Sequence, residues 1–250
     1  MGIINLNDGP LELHKHIQKN FMVIKEIHNQ LTIKHLILPA HIILTLFYVY
    51  SNDSGSRYTI TDTLAIPISR VRKILDSLEQ EKLLEKNVGR KGTVLTSEGF
   101  KFCEALFSLL KIANPLDPID LGEIVLGKVN SLTMMPRFFF TKNIKPISIR
   151  DSSLKCGALG ASIFETNLDE NGNLIVKFLD GEIIESKKLT GIIKGLVPNN
   201  EDQLIIASTV NELSQFFFNP LFDSKKVNSF KIVLLASVQS MWEIIDHELN

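Results

Sequence analysis

Cysteine is scarce. The 250-residue chain holds two, Cys103 and Cys156, far apart and in no metal-ligand spacing. That excludes a disulfide framework and a cysteine-based zinc site, and it fits a reducing compartment. Charge of one sign is also lacking. The 27 basic and 28 acidic residues leave a net charge of −1, so any contact with nucleic acid must come from a local patch rather than a polycationic chain. No apolar run is long enough to cross a bilayer. The longest, residues 36–50, is interrupted by Pro39 and His41, and a spanning helix needs roughly twenty apolar residues. The opening MGIINLNDGP has no basic start followed by an apolar core, so no signal peptide is expected and a cytoplasmic location is. Catalytic signatures are missing as well. There is no glycine-rich loop ending in GKS or GKT, no GxSxG, no HExxH and no CxxC, so no cofactor is expected and the chain is not expected to be an enzyme. Five of the six histidines cluster toward the N-terminus, but His14, His16, His28, His35 and His41 include no pair four residues apart. No metal site is expected from them.

What is present is an organised stretch at residues 57–99. Ile60, Leu64 and Ala65 are the apolar positions of a short helix, preceded by a strand-like segment. Ile66–Pro67 ends it, because proline lacks an N–H and turns its predecessor away from helical angles. A second helix is expected over Ile68–Gln80, with Val71, Ile74, Leu75 and Leu78 on one face. Ser69, Arg70, Arg72 and Lys73 fall largely outside that stripe. Leu83–Leu84 opens a strand, Val88–Gly92 is a glycine-flanked basic turn carrying Arg90 and Lys91, and Thr93–Leu95 returns. Thr96 is placed to cap the helix that follows, over residues 97–112.

Two helices joined by a tight turn and followed by a basic hairpin resemble a winged helix-turn-helix, over residues 39–112. In that family the second helix enters the DNA major groove and the hairpin touches the backbone. The resemblance implies that Ser69, Arg70, Arg72, Lys73, Arg90 and Lys91 contact double-stranded DNA. At one position the chain departs from the family. The residue before Leu83 is often a glycine that ends the helix in a left-handed turn; here it is Lys82.

The chain divides, on this reading, into an N-terminal helical segment (1–38), a winged-helix domain (39–114) and a C-terminal α/β domain (115–250), an α+β protein as a whole. Leu13, Ile17, Phe21, Ile24, Ile27 and Leu31 recur at helical spacing over residues 10–31. That helix either packs on the domain behind it or pairs two copies into a homodimer. Pro39–Tyr50 supplies the first helix of the winged domain. Residues 112–118 hold two prolines and read as a linker, with the boundary near Pro115.

Beyond it, strands are expected over 124–129, 146–149, 158–164, 174–178, 204–207 and 231–235, and helices over 209–218 and 238–249. Residues 169–173 and 180–181 read as turns. The runs Phe138–Phe140 and Phe216–Phe218 read as core. Arg150 and Asp151 follow an expected strand, where α/β domains place ligand groups, although a surface ion pair is the commoner outcome. Gly157 and Gly160 permit close backbone approach to a ligand, or simply tight packing. These four residues are the candidate small-molecule site.

Ser148–Asp151, Gly157–Ala161 and Ser240–Glu243 together resemble a group of archaeal transcriptional regulators whose C-terminal domain has no assigned function. The resulting expectation is a homodimeric DNA-binding regulator, controlled by an effector in its C-terminal domain. Two other readings stay open: an enzyme with its chemistry in residues 119–250, and a winged-helix protein–protein adaptor.

Overall fold

The computed structural model describes residues 10–32, 36–86, 92–113, 118–119, 121, 124–125, 127–140, 142–197, 202–211 and 219–250, with the backbone alone described at 10–17 and 32. It is an α+β chain of two compact units. The first takes the described residues up to Ser108 and a short returning segment, 219–227; the second takes residues 109–211 and 228–248. The division falls before the expected boundary at Pro115. The reason is that Lys111–Ala113, expected as the end of the 97–112 helix and the start of the linker, is a strand (β3) of the second unit's sheet.

In the first unit, helix α1 (Pro10–Thr32) lies against α2 (Pro39–Ser51) and α4 (Ile68–Gln80). Phe21, Ile24, Ile27 and Leu31 are buried. This part of the apolar stripe is therefore covered by the chain itself, as in the first of the two roles expected of it. Helix α2 starts on Pro39, where a missing N–H costs nothing. Gly55 exchanges two backbone hydrogen bonds with Thr93, at 2.8 and 2.9 Å. The expected strand before the short helix reduces to this one bridge, because Ser56 caps helix α3 (Arg57–Leu64) and starts it earlier. After α4, β1 (Leu84–Lys86) pairs antiparallel with β2 (Thr93–Leu95), and α5 (Ser97–Leu109) follows.

The second unit is a five-stranded antiparallel sheet in the order β3-β4-β7-β5-β6, with β4 at Val129–Pro136, β5 at Gly160–Leu168, β6 at Leu174–Phe178 and β7 at Gln203–Val210. Helix α7 (Lys187–Leu196) covers one face. There Leu189 and Ile193 join Leu132, Met134, Phe164, Ile205 and Ala207 in one apolar cluster. Helices α6 (Pro146–Lys155) and α8 (Ser229–Leu249) cover the other. Their contacts include hydroxyls. Ser237 on α8 accepts from Thr133 at 3.0 Å and reaches Ser131 at 3.2 Å, while Ser153 on α6 reaches the Gly160 carbonyl at 3.0 Å and the Ser208 hydroxyl at 3.1 Å.

Four expected elements change here. Residues 146–149 begin a helix, since Pro146 occupies its first position. Residues 231–235 are helix, the first turns of α8. Strand β4 runs over 129–136 rather than 124–129. Thr209 and Val210 end strand β7 instead of opening a helix; the rest of that expected helix, with Phe216–Phe218, lies outside the described residues.

Candidate nucleic-acid interface

The pair α3 and α4 and the turn between them are built by local capping. Ser56 Oγ accepts from the Thr59 amide at 3.1 Å, and Thr59 Oγ1 accepts from the Ser56 amide at 3.1 Å, a reciprocal box that satisfies two end donors of α3. Ala65 then takes a left-handed conformation (φ 55°, ψ 21°), and Pro67 opens α4. Val71, Ile74 and Leu78 are fully buried and Leu75 nearly so, which fixes the rotation of α4. Its opposite face must be the solvent face.

Ser69, Arg72 and Lys73 stand exposed on that face. Arg72 is only loosely tied, at 4.0 Å, to Asp76 one turn on. Arg70 differs. It is half-buried, and its Nη1 has no hydrogen-bond partner among the described residues. Loss of solvent lowers its pKa. Its charge also bears on His41, which is fully buried in α2. Burial first, then Arg70, lower the His41 pKa to about 3. Nδ1 of His41 accepts from the Leu38 amide at 3.0 Å. Its Nε2 is unpartnered among the described residues, although the Leu221 backbone lies near enough to raise the pKa slightly.

The end of α4 is closed by a two-bond cap. The Leu83 amide donates to the Leu78 carbonyl at 2.9 Å and the Lys82 amide to Glu79 at 3.0 Å, with Lys82 left-handed at φ 59°. This is a helix-ending turn of the kind that glycine most often makes. At the base of the hairpin, Lys86 Nζ sits 2.7 Å from Glu79 Oε2. Gly92 is also left-handed (φ 81°), and a Cβ there would meet the Gly55 carbonyl at 2.8 Å. Arg90 and Lys91 lie outside the described residues.

Reading the sequence missed three exposed groups of this unit. Arg57 and Tyr58 open α3, the guanidinium stacking 5.0 Å from the ring centre and donating to the Tyr58 hydroxyl at 3.1 Å. Lys86 is the third. The S-x-x-T box at 56–59 was the available signal, because it places Arg57 and Tyr58 in a first helical turn.

In the second unit, Arg150 is exposed on α6, not at a strand end, and lines an open groove of about 440 Å³ with Pro146, Ile147, Ile163, Phe178 and Asp180. Asp151 is exposed and is not among the groove's lining residues. Gly157 (φ 96°) ends α6: its amide donates to Leu154 at 2.9 Å, and the Ala158 amide to Ser153 at 3.2 Å. This cap accounts for the glycine without a ligand. Gly160 starts β5, where a Cβ would meet nothing within 4 Å. Both cysteines are buried, and burial pushes their thiols up to about 12, so neither is a ready nucleophile. Among the described residues no three potential ligands gather to hold a metal, and no helix is long and apolar enough to cross a membrane.

No family model, curated protein or solved structure matches the chain. The arrangement stands on its own chemistry: an amphipathic helix, rigidly backed and presenting a hydroxyl and two cations, beside a hairpin whose sequence adds two more.

Proposed function

We propose that the protein is a transcriptional regulator that binds double-stranded DNA sequence-specifically through a winged helix-turn-helix. Helix α4 lies in the major groove and the β1–β2 hairpin follows the backbone. The observation that carries the reading is the exposure of Ser69, Arg72 and Lys73 on the one face of α4 that does not pack. Arginine and lysine read guanine edges or neutralise phosphates, and serine bonds to either. Arg57 and Tyr58 at the start of α3 suit phosphate contact, since the first helix of such a pair crosses the backbone.

In this reading the protein acts in the cytoplasm as a homodimer, and a small molecule bound in the C-terminal unit controls it. The groove beside Arg150 is the supporting feature for such an effector. A ligand there acts only by binding one geometry of the protein more tightly than another.

The test is fluorescence-anisotropy binding to genomic DNA fragments across a salt series. Each neutralised phosphate contributes about 0.9 to the slope of log affinity against log salt. The Arg72→Ala/Lys73→Ala variant is expected to bind more weakly and to lose roughly two such increments. An unchanged slope would remove α4 from the interface, and no binding at low salt would move the reading to a protein–protein adaptor.

A further inference from the structure

Residues 219–227 belong to the C-terminal half of the chain, between β7 and α8, yet they pack as part of the first unit. The segment is shaped locally. Asn219 Oδ1 accepts from the Leu221 amide at 3.0 Å and Asp223 Oδ1 from the Lys225 amide at 3.1 Å. These are two side-chain-closed turns of the kind asparagine and aspartate form. Between them Leu221 and Phe222 are buried. The Leu221 backbone lies beside His41 in α2. The next residue makes the informative contact: the Asp223 amide donates to the Ala65 carbonyl at 2.6 Å. Ala65 is the left-handed residue between α3 and α4. One step further, Lys226 Nζ lies 2.5 Å from Asp62 Oδ1 on α3 and 3.9 Å from Asp223. The strap thus grips both the last turn of α3 and the joint that sets the angle of α4.

We infer that residues 219–227 are a positioning strap for the DNA-reading turn, holding α3 and the α3–α4 joint through Lys226 and Asp223, so that the C-terminal half of the chain completes the reading unit. The inference rests on the DNA-binding proposal for its purpose, but not for its test. An elbow with a left-handed alanine has no glycine-like freedom to lose, yet its carbonyl still needs a partner, and the strap supplies it. Val227 lies two residues before Ser229, the first residue of α8, so the strap and α8 are consecutive in the chain.

The experiment uses the full chain with Lys226→Met, Asp62→Asn, the exchanged pair Asp62→Lys/Lys226→Asp, and Leu221→Ala. Hydrogen exchange is followed in peptides spanning residues 60–70 and 232–245, with DNA affinity measured alongside. Each neutralising variant is expected to speed exchange at 60–70 by roughly two- to five-fold, the range an exposed ion pair supports. Leu221→Ala is expected to speed it about ten-fold or more, as a lost apolar anchor does. Exchange in α8 should change less than exchange at 60–70. DNA affinity should fall with exchange while its salt slope holds, since neither Lys226 nor Asp62 is a phosphate contact. The exchanged pair should recover both readouts to within about two-fold, given how small exposed pair energies are. Unchanged exchange at 60–70 in both Lys226→Met and Leu221→Ala overturns the strap. If the wild type binds no DNA, the regulator reading fails instead, and the exchange data still decide the strap.

Discussion

Lys82 holds a backbone conformation (φ 59°) in which a Cβ is unwelcome. A left-handed residue other than glycine costs about 1–2 kcal/mol, whereas glycine gives back roughly 0.5–1 kcal/mol through its freer unfolded chain. The first effect is larger, so Lys82→Gly is expected to stabilise the protein by about 0.5–1 kcal/mol, raising Tm by roughly 2 °C in a thermal melt. That no glycine stands before Leu83 was legible in the sequence. That the backbone keeps the turn regardless follows from Leu83, whose amide must close on Leu78 for its side chain to be buried. His41 was legible only as one of six histidines. Its burial, with the Arg70 and His28 charges bearing on it, lowers its pKa to about 3. A base whose folded pKa lies below its unfolded value of about 6.5 contributes stability that is complete above pH 6.5 and lost as pH falls toward 3. Unfolding free energy measured in urea is therefore expected to drop between pH 6.5 and 4, by an amount on the order of a few kcal/mol. In His41→Met the same fall should be shallower. Parallel curves would show that His41 does not carry the titration.

Elements were read well where one face packs and poorly where two do. Helix α4 has a single apolar stripe, and its expected bounds, Ile68–Gln80, are those observed. Strand β4 is buried along its whole length, but through Ser131 and Thr133 on one face and Leu132 and Met134 on the other. Alternation is confined to Ser131–Met134, because Val129 and Met135 are apolar on the hydroxyl face and Asn130 is polar on the other, so the strand signal is short. Helix α8 fails in the opposite sense. Its run Ile232–Leu235 is buried on all sides, and a short apolar run of this kind does not distinguish strand from helix. The close approach of the start of α5 to Leu83, just beyond α4, was invisible, because it depends on a residue with no side chain. A Cβ on Gly99 would stand 1.8 Å from the Leu83 carbonyl oxygen. Alanine gains about 1 kcal/mol over glycine inside a helix, while forced overpacking costs roughly 1–3 kcal/mol, and an overlap this deep belongs at the upper end. Gly99→Ala should lower Tm despite the better helix former. Thr96 supports the same approach, donating to the Lys82 carbonyl at 2.7 Å and accepting from the Gly99 amide at 2.9 Å. Thr96→Ala should cost about 1 kcal/mol, as loss of an N-cap does.

At the scale of the whole chain, the sequence showed two regions of different character but not their interleaving. A contiguous boundary near Pro115 was the natural reading of residues 112–118, since prolines mark breaks and nothing local shows Lys111–Ala113 completing a distant sheet. Nor does any local pattern announce that 219–227 returns to the first unit, because that contact is made by backbone atoms, one ion pair and two buried apolar side chains across more than 150 residues of chain. The interleaving has a thermodynamic consequence. The chain leaves the first unit near Ser108, is back in it by Asn219, and leaves again after Val227. Unfolding the first unit therefore releases the strap and frees the first turn of α8, whose Asn228 cap accepts from Lys231 at 2.9 Å. Two units tied in this way should unfold together. Trp242, the chain's single tryptophan, is buried in α8 and reports on the second unit alone, whereas far-ultraviolet circular dichroism reports on the helices of both. Denaturant curves from the two probes are expected to coincide in the wild type, the usual sign of one cooperative transition. In Leu221→Ala, with the strap loosened, the dichroism signal should begin to change before the Trp242 fluorescence does. Separate transitions already in the wild type would mean that covalent continuity alone does not couple the units, leaving an effector in the second unit no route to α4 through the strap.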